Sequence, residues 1–345
     1  MKGIPNFGGK REWLARALYW SGTSLLISQL RERDSLTVLN YHRIGNPNDD
    51  LFDPGVFSAT ADQLDEQVSY LKRHVSLVTL EEALAYIDGT VDFTSRGYRV
   101  LITFDDGYLD NYELAFPILR SHEVQGVFFL ATGLVGSCDV PWWDHIAFLM
   151  KTARTHRFAL HYPVDLFVDI DKSGLKKSLR DVLHSYKTLG NTDPARFIRD
   201  LAQAVKGREL PRTSRRFINW EEAREMIRGG MAIGSHTHSH QVLSQLGPEQ
   251  QYEELVRSRA VLKKQLGIEA DVLAYPVGAN TSFSEQTSLL AQKVGYRAAF
   301  SFHGGTNIRG KTFRYDVKRI EVHDQSRCRF QVQTAVCRLT GIRWP

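Results

Sequence analysis

Cysteine is scarce in this chain. Cys138, Cys328 and Cys337 are the only three among 345 residues, and none forms a CxxC pair. An odd count without a framework suits a reducing compartment, so the expected location is the cytoplasm. Long apolar runs are also missing. The stretch after the first basic residues is interrupted by Ser21, Gly22, Thr23, Ser24, Ser28 and Gln29. It is too polar to span a membrane, and no small-residue cleavage site follows. Residues 1–35 therefore read as an amphipathic helix, with peripheral membrane contact as the most it offers. Nor is there an excess of one charge. Lys and Arg number 44 against 39 Asp and Glu, a net of +5, and no nucleic-acid recognition motif accompanies it, so nucleic acid is not an expected partner. The Gly-rich "FHGGTN" (302–307) lacks phosphate-loop spacing and reads as a rim turn.

What remains is an ordinary globular composition, 42% hydrophobic and 24% charged. Seven short apolar, β-branched runs recur: 36–41, 98–104, 126–131, 231–235, 271–276, 296–302 and 316–322. Runs apolar on both faces are the mark of buried strands in a parallel sheet. Helical patterns such as "ADQLDEQVSYLKR", "NYELAFPILRSH" and "WEEAREMIRGG" lie between them and end in Gly or basic residues. Alternating strand and helix means an α/β fold, and seven strands point to a distorted (β/α)7 barrel; a doubly wound open sheet is the rival. The barrel is expected over 36–325, with 326–345 forming a closing helix and tail.

Residues 137–216 break the rhythm and read as a helical insertion on one loop. Residues 171–216 hold twelve Lys/Arg against five Asp/Glu, a net of +7, which leaves the rest of the chain at −2. Such a run is either a solvated basic face or a surface for an acidic polymer or an anionic lipid-linked substrate. Trp142 and Trp143 open the insertion, either as core or as a sugar-stacking platform.

In an α/β barrel the functional residues follow the strands. Here Tyr41, His42 and Arg43 follow the first, Asp105 and Asp106 the second, His236 to His240 the fourth, Tyr275 to Gly278 the fifth, and His323 the last. His236 and His240, four apart, would share one face of a helical turn, close enough to hold one metal. A carboxylate from Asp105 or Asp106 would complete the two-histidine, one-carboxylate set of a catalytic zinc, and the other aspartate could act as base.

The motif "TFDDGYLDN" (103–111) resembles the first motif of the polysaccharide deacetylases, carbohydrate esterase family 4, and "GSHTHSH" (234–240) resembles their second. The likeness covers roughly residues 36–136 and 217–323. It implies a distorted (β/α)7 barrel that removes acetyl from N-acetylated sugars of a polysaccharide, oligosaccharide or glycolipid precursor. It also implies Asp105 as general base and Asp106, His236 and His240 as ligands of a divalent metal, Zn2+ before others. The third motif departs from the pattern, because "LAYPVGA" puts Ala274 where the family carries an Arg. The Val277 N–H is still expected to serve the oxyanion, beside Tyr275, and Arg319 on the last strand is expected to replace the missing charge next to Asp105. His323 is the candidate general acid, with His42 as its competitor. Two other readings stay open: hydrolysis of a small non-glycan amide, and a glycan-binding protein without catalysis.

Overall fold

The computed structural model describes residues 34–90, 97–188, 193–211, 215–323 and 325–340. The helix expected over 1–35 lies outside these, except that Ser35 already opens the first strand.

Seven strands run in order through one parallel sheet: β1 (Ser35–Tyr41), β2 (Tyr98–Phe104), β3 (Gly126–Leu130), β4 (Ala232–Ser235), β5 (Val272–Ala274), β6 (Ala298–Phe300) and β7 (Arg319–Glu321), and a two-residue strand, Ser76–Leu77, adds to β2 off that path. Their order around the sheet is β6-β5-β4-β3-β2-β1-β7. A parallel bridge from Phe300 to Val317, just before β7, joins the two edges, so the sheet is a distorted, nearly closed barrel. β1, β2 and β3 are buried at every position. That is why the runs read as continuously apolar: inward rows pack inside the barrel and outward rows pack under helices.

The inward rows include Leu36, Val38, Leu101, Val127, Phe129, Val272 and Phe300. Outside lie α1 (Ala61–His74), α2 (Leu80–Asp88), α3 (Phe116–Ser121), α4 (Trp142–Lys151), α5 (Leu175–Lys187), α6 (Pro194–Ala204), α7 (Trp220–Arg228), α8 (Pro248–Leu266), α9 (Glu285–Val294) and α10 (Arg327–Thr340). α1 and α7 each start with a capping box, Thr60 with Gln63 and Asn219 with Glu222, which satisfies first-turn N–H groups. α10 packs against α1, where its Phe330 meets Tyr70 edge to face.

The insertion is not wholly helical. Between α4 and α5 the chain makes an antiparallel hairpin, Arg157–Leu160 with Leu166–Asp169. It packs with α4, α5 and α6 around a cluster that includes Trp143, Ile146, Val182, Leu183, Phe197 and Leu201. Tyr108 and Phe217 of the barrel rim belong to the same cluster, so the insertion and the rim share one core. No helix among the described residues is long and apolar enough to cross a membrane.

Candidate metal centre

Two adjacent strand ends build the centre. Past β2, the Asp105 N–H donates to Tyr41 O at 2.9 Å and prolongs the ladder with β1 by one residue. The chain then turns through left-handed conformations, Asp106 at φ 73° and Gly107 at φ 78°. A Cβ on residue 107 would lie 2.8 Å from Leu130 Cδ2, so only glycine allows this turn. Past β4, the His236 N–H donates to Leu130 O at 2.9 Å. Thr237 (φ 62°) and His240 (φ 55°) then curl the loop back. The expected helical turn is therefore absent. His236 and His240 meet because two left-handed residues fold the segment on itself, and their rings end 4.7 Å apart, edge to face.

Asp106, His236 and His240 converge at 2%, 1% and 6% exposure. One ligand atom from each lies within 4.8 Å of the others. Asp106 Oδ1 is 3.2 Å from His240 Nε2 and 3.4 Å from His236 Nε2, yet it is buried without a hydrogen-bond partner. His236 Nδ1 lies 2.8 Å from the Ala274 carbonyl. A hydrogen on Nδ1 leaves the Nε2 lone pair facing Asp106, as an orienting contact around a metal ligand does. An orphaned buried carboxylate oxygen facing two imidazole nitrogens fits a divalent cation, and three protein ligands leave a coordination position open. Burial drives the Asp106 carboxyl upward, but the two histidines outweigh it and hold it well below the ordinary carboxylate range. Burial lowers His240, whereas Asp105 and Asp106 overcome burial at His236 and raise it.

Asp105 stands beside this cluster, Oδ2 3.7 Å from His236 Nε2. Arg319 grips it with both arms: Nη1 donates to Oδ1 at 2.7 Å and Nη2 to Oδ2 at 2.9 Å. Asn40 Nδ2 adds a bond to Oδ2 at 3.1 Å, while Asn40 Oδ1 accepts from Arg319 Nη1 and Thr103 Oγ1. Burial works against the Asp105 charge, yet the Arg319 guanidinium prevails and holds the carboxyl below its usual value. Asn40 is a site residue that the sequence analysis missed; an Asn inside a strand pattern carries no signal of its own.

The other expected site residues divide. Val277 has φ 63°, an outlier for a β-branched residue. Gly278 N donates to Pro276 O across it at 2.7 Å, and among the described residues the Val277 N–H donates to no backbone carbonyl. The Tyr275 side chain points away into core, fully buried, stacked on Phe283 and hydrogen-bonded to Tyr315 O. It cannot touch a substrate. Trp143 is core as well, 4% exposed, with its ring 4.4 Å from that of His240. Its Nε1 donates to Tyr108 OH, and that hydroxyl lies 3.2 Å from Asp144 Oδ2. Trp142 is half-buried, stacks on Tyr186 at 4.3 Å and aims Nε1 at His240 O. His42 is half-buried beside Phe302, ring centroids 6.3 Å apart. His323 is 43% exposed and faces Glu321 at 2.9 Å.

Among the described residues, four of the six non-glycine positions with positive φ are Asp106, Thr237, His240 and Val277. Backbone strain concentrated in this way marks a functional site. A polysaccharide deacetylase family model matches residues 94–299, which include both aspartates, both histidines and the Val277 turn. The chain belongs to the polysaccharide deacetylase family. It is 22% identical to the Bacillus subtilis protein YxkH over 65% of this chain and 51% of that protein. It is 31% identical to a Staphylococcus epidermidis poly-β-1,6-N-acetyl-D-glucosamine N-deacetylase over 31% of this chain and 40% of that one. The match thus spans about half or less of these relatives' lengths. In fold, it resembles the Streptococcus pyogenes deacetylase PplD in complex with acetate (TM-score 0.56, 18% identity, 87% of this chain and 98% of that one). IcaB from Ammonifex degensii is similar as well (TM-score 0.55, 23% identity, 87% and 95%).

Proposed function

We propose that this polysaccharide deacetylase family member is a metal-dependent hydrolase. Its reaction would remove acetyl groups from N-acetylated sugars of a polysaccharide, oligosaccharide or glycolipid precursor. One observation carries the reading: the buried Asp106–His236–His240 cluster beside an Asp105 carboxylate whose charge Arg319 secures. Two imidazoles and one carboxylate favour Zn2+ as the cation. Bound there, it supplies Lewis-acid polarisation of the acetyl carbonyl and acidifies water.

The chain's own groups do the rest. Asp105, kept ionised by Arg319, takes the proton from the water that attacks the carbonyl carbon. The Val277 N–H donates to the developing oxyanion, and its strained turn holds that donor in place beforehand. The C–N bond then breaks, and the nitrogen leaves as an amine once it receives a proton. His42 is the donor we favour, because it is half-buried and directly follows β1, whose Asn40 bonds Asp105, whereas His323, the second candidate, is 43% exposed and faces Glu321. His42→Ala and His323→Ala, compared by kcat, separate the two. None of the three cysteines is in a disulfide, which accords with a cytoplasmic enzyme.

The test is acetate release from N-acetylated oligosaccharides by protein stripped with a chelator and then refilled. Stripped protein should be inactive, and Zn2+ should restore turnover in proportion to occupancy. Turnover that survives complete stripping would overturn the proposal.

A further inference from the structure

The surplus charge of the insertion is not spread evenly. On α6 the arginines are neutralised, Arg196 by Asp200 and Arg199 by Asp193. On α5 only Lys177 is, by Asp181. Lys176, Arg180, His184 and Lys187 remain, and among the described residues no carboxylate lies within ion-pair distance of them. Their positions i, i+4, i+8 and i+11 fall within about 80° around the helix and run about 16 Å along it. Lys176, Arg180 and His184 are exposed and Lys187 is half-buried. They form one stripe.

The C-terminal end of that stripe is tied to the metal centre. Tyr186, on the buried side of α5, stacks on Trp142, whose ring lies 6.5 Å from His240. Gln245, five residues past His240, donates to Tyr186 O at 3.0 Å and to Lys187 O at 3.2 Å. A chain of sugars leaving the centre on this side therefore meets α5 end-on and can follow its cations.

We propose that α5 is an anion-binding track for the non-reacting sugars of an acidic N-acetylated glycan, one whose carboxylate groups recur along the chain. The proposal rests on the deacetylase reading and specifies its substrate class. A membrane surface fits less well. The neighbouring hairpin exposes Val164 and Phe167, but its charges pair among themselves, Arg157 with Asp169 and Asp171 and His161 with Asp165, which leaves no cationic surplus beside those two residues for an anionic bilayer. On α5 itself Leu175 is the one exposed large apolar residue, where interfacial binding needs a whole apolar face.

Calorimetry with hyaluronan oligosaccharides, which carry uronates, and chitin oligosaccharides of equal length, which are neutral, tests this without requiring turnover. Failure of the track and failure of the deacetylase reading are then separate results. Wild-type protein should bind the acidic oligosaccharide about tenfold more tightly at low salt, and the preference should vanish near 0.5 M salt, where exposed charges are screened. The double variant Lys176→Glu/Arg180→Glu alters only exposed side chains. It should lose the acidic preference while keeping its melting temperature and its chitin affinity. The proposal fails if wild type shows no preference, if the preference ignores salt, or if the variant weakens both ligands equally. It also fails if phosphatidylserine vesicles respond to these substitutions and hyaluronan does not, a result that would assign the stripe to a membrane.

Discussion

Arg319 is the residue whose removal has the most readable consequence. Arg319→Met keeps most of the volume of a fully buried side chain but leaves the Asp105 carboxylate with Asn40 as its remaining donor in this group. Breaking a buried ion pair by removing one partner costs about 3–5 kcal/mol. The carboxylate escapes part of that cost by taking a proton, because burial is the largest influence on it and acts upward once the guanidinium is gone. In wild type the depressed carboxyl contributes stability that is present above its unfolded pKa and lost as pH falls through the folded value. In the variant the sign reverses, and stability is lost as pH rises through a folded value that now lies above the unfolded one. Urea denaturation at neutral pH and near pH 5 should therefore show the variant several kcal/mol weaker, with the gap narrowing in acid. Acetate release should lose its activity at a higher pH on the acid side than in wild type. Arg319→Lys, a point charge without the planar fork, should fall between the two. An Arg319→Met protein with an unchanged urea midpoint and an unchanged pH profile would refute the reasoning.

Other substitutions follow from the same geometry. Trp143→Ala removes the ring that packs on His240 and should weaken metal affinity by about 10–100-fold in a chelator competition; Trp143→Phe, which keeps an aromatic ring there but loses the bond to Tyr108 and part of the ring's area, should weaken it less, and equal effects would argue against positioning by packing. Asp144 is buried among acidic and basic neighbours, and burial above all raises its pKa from 3.8 to about 6. A carboxyl raised in this way binds its proton more tightly folded than unfolded, so its contribution declines as pH rises between those values, by about 3 kcal/mol at neutral pH. Asp144→Asn should accordingly gain on wild type between acid and neutral pH in urea denaturation, and a pH-independent difference would refute this. Val277→Gly should relieve a left-handed β-branched residue and stabilise the fold by about 1 kcal/mol, while loosening the N–H donor and lowering kcat. A loss of stability would show that the valine is not strained.

The barrel was legible because each of its strands is buried on both sides and so reads as an unbroken apolar run; β2 was placed at 98–104, the bounds it has. Asp106, His236 and His240 were legible through their motifs, but the physical reason offered for the two histidines was a helical turn, and the chain uses left-handed residues at 237 and 240 instead. Nothing in i,i+4 spacing distinguishes the two. The hairpin at 157–169 escaped notice because its strands are four residues each and only partly buried. The support behind the centre, Asn40 to Asp105 and Asp144 to Tyr108 to Trp143 to His240, joins residues 35 to 97 positions apart, and no local pattern encodes such contacts.

The central claim is that one cation held by Asp106, His236 and His240 works with Asp105 to release acetate. Metal content and acetate release, measured together on wild type, Asp105→Asn and His236→Ala, test it most directly. The account predicts that wild type binds one cation per chain and releases acetate, that Asp105→Asn keeps the cation but is inactive, and that His236→Ala loses both. Wild type that binds its cation yet releases no acetate from any N-acetylated oligosaccharide, or His236→Ala that retains cation and activity, would contradict it.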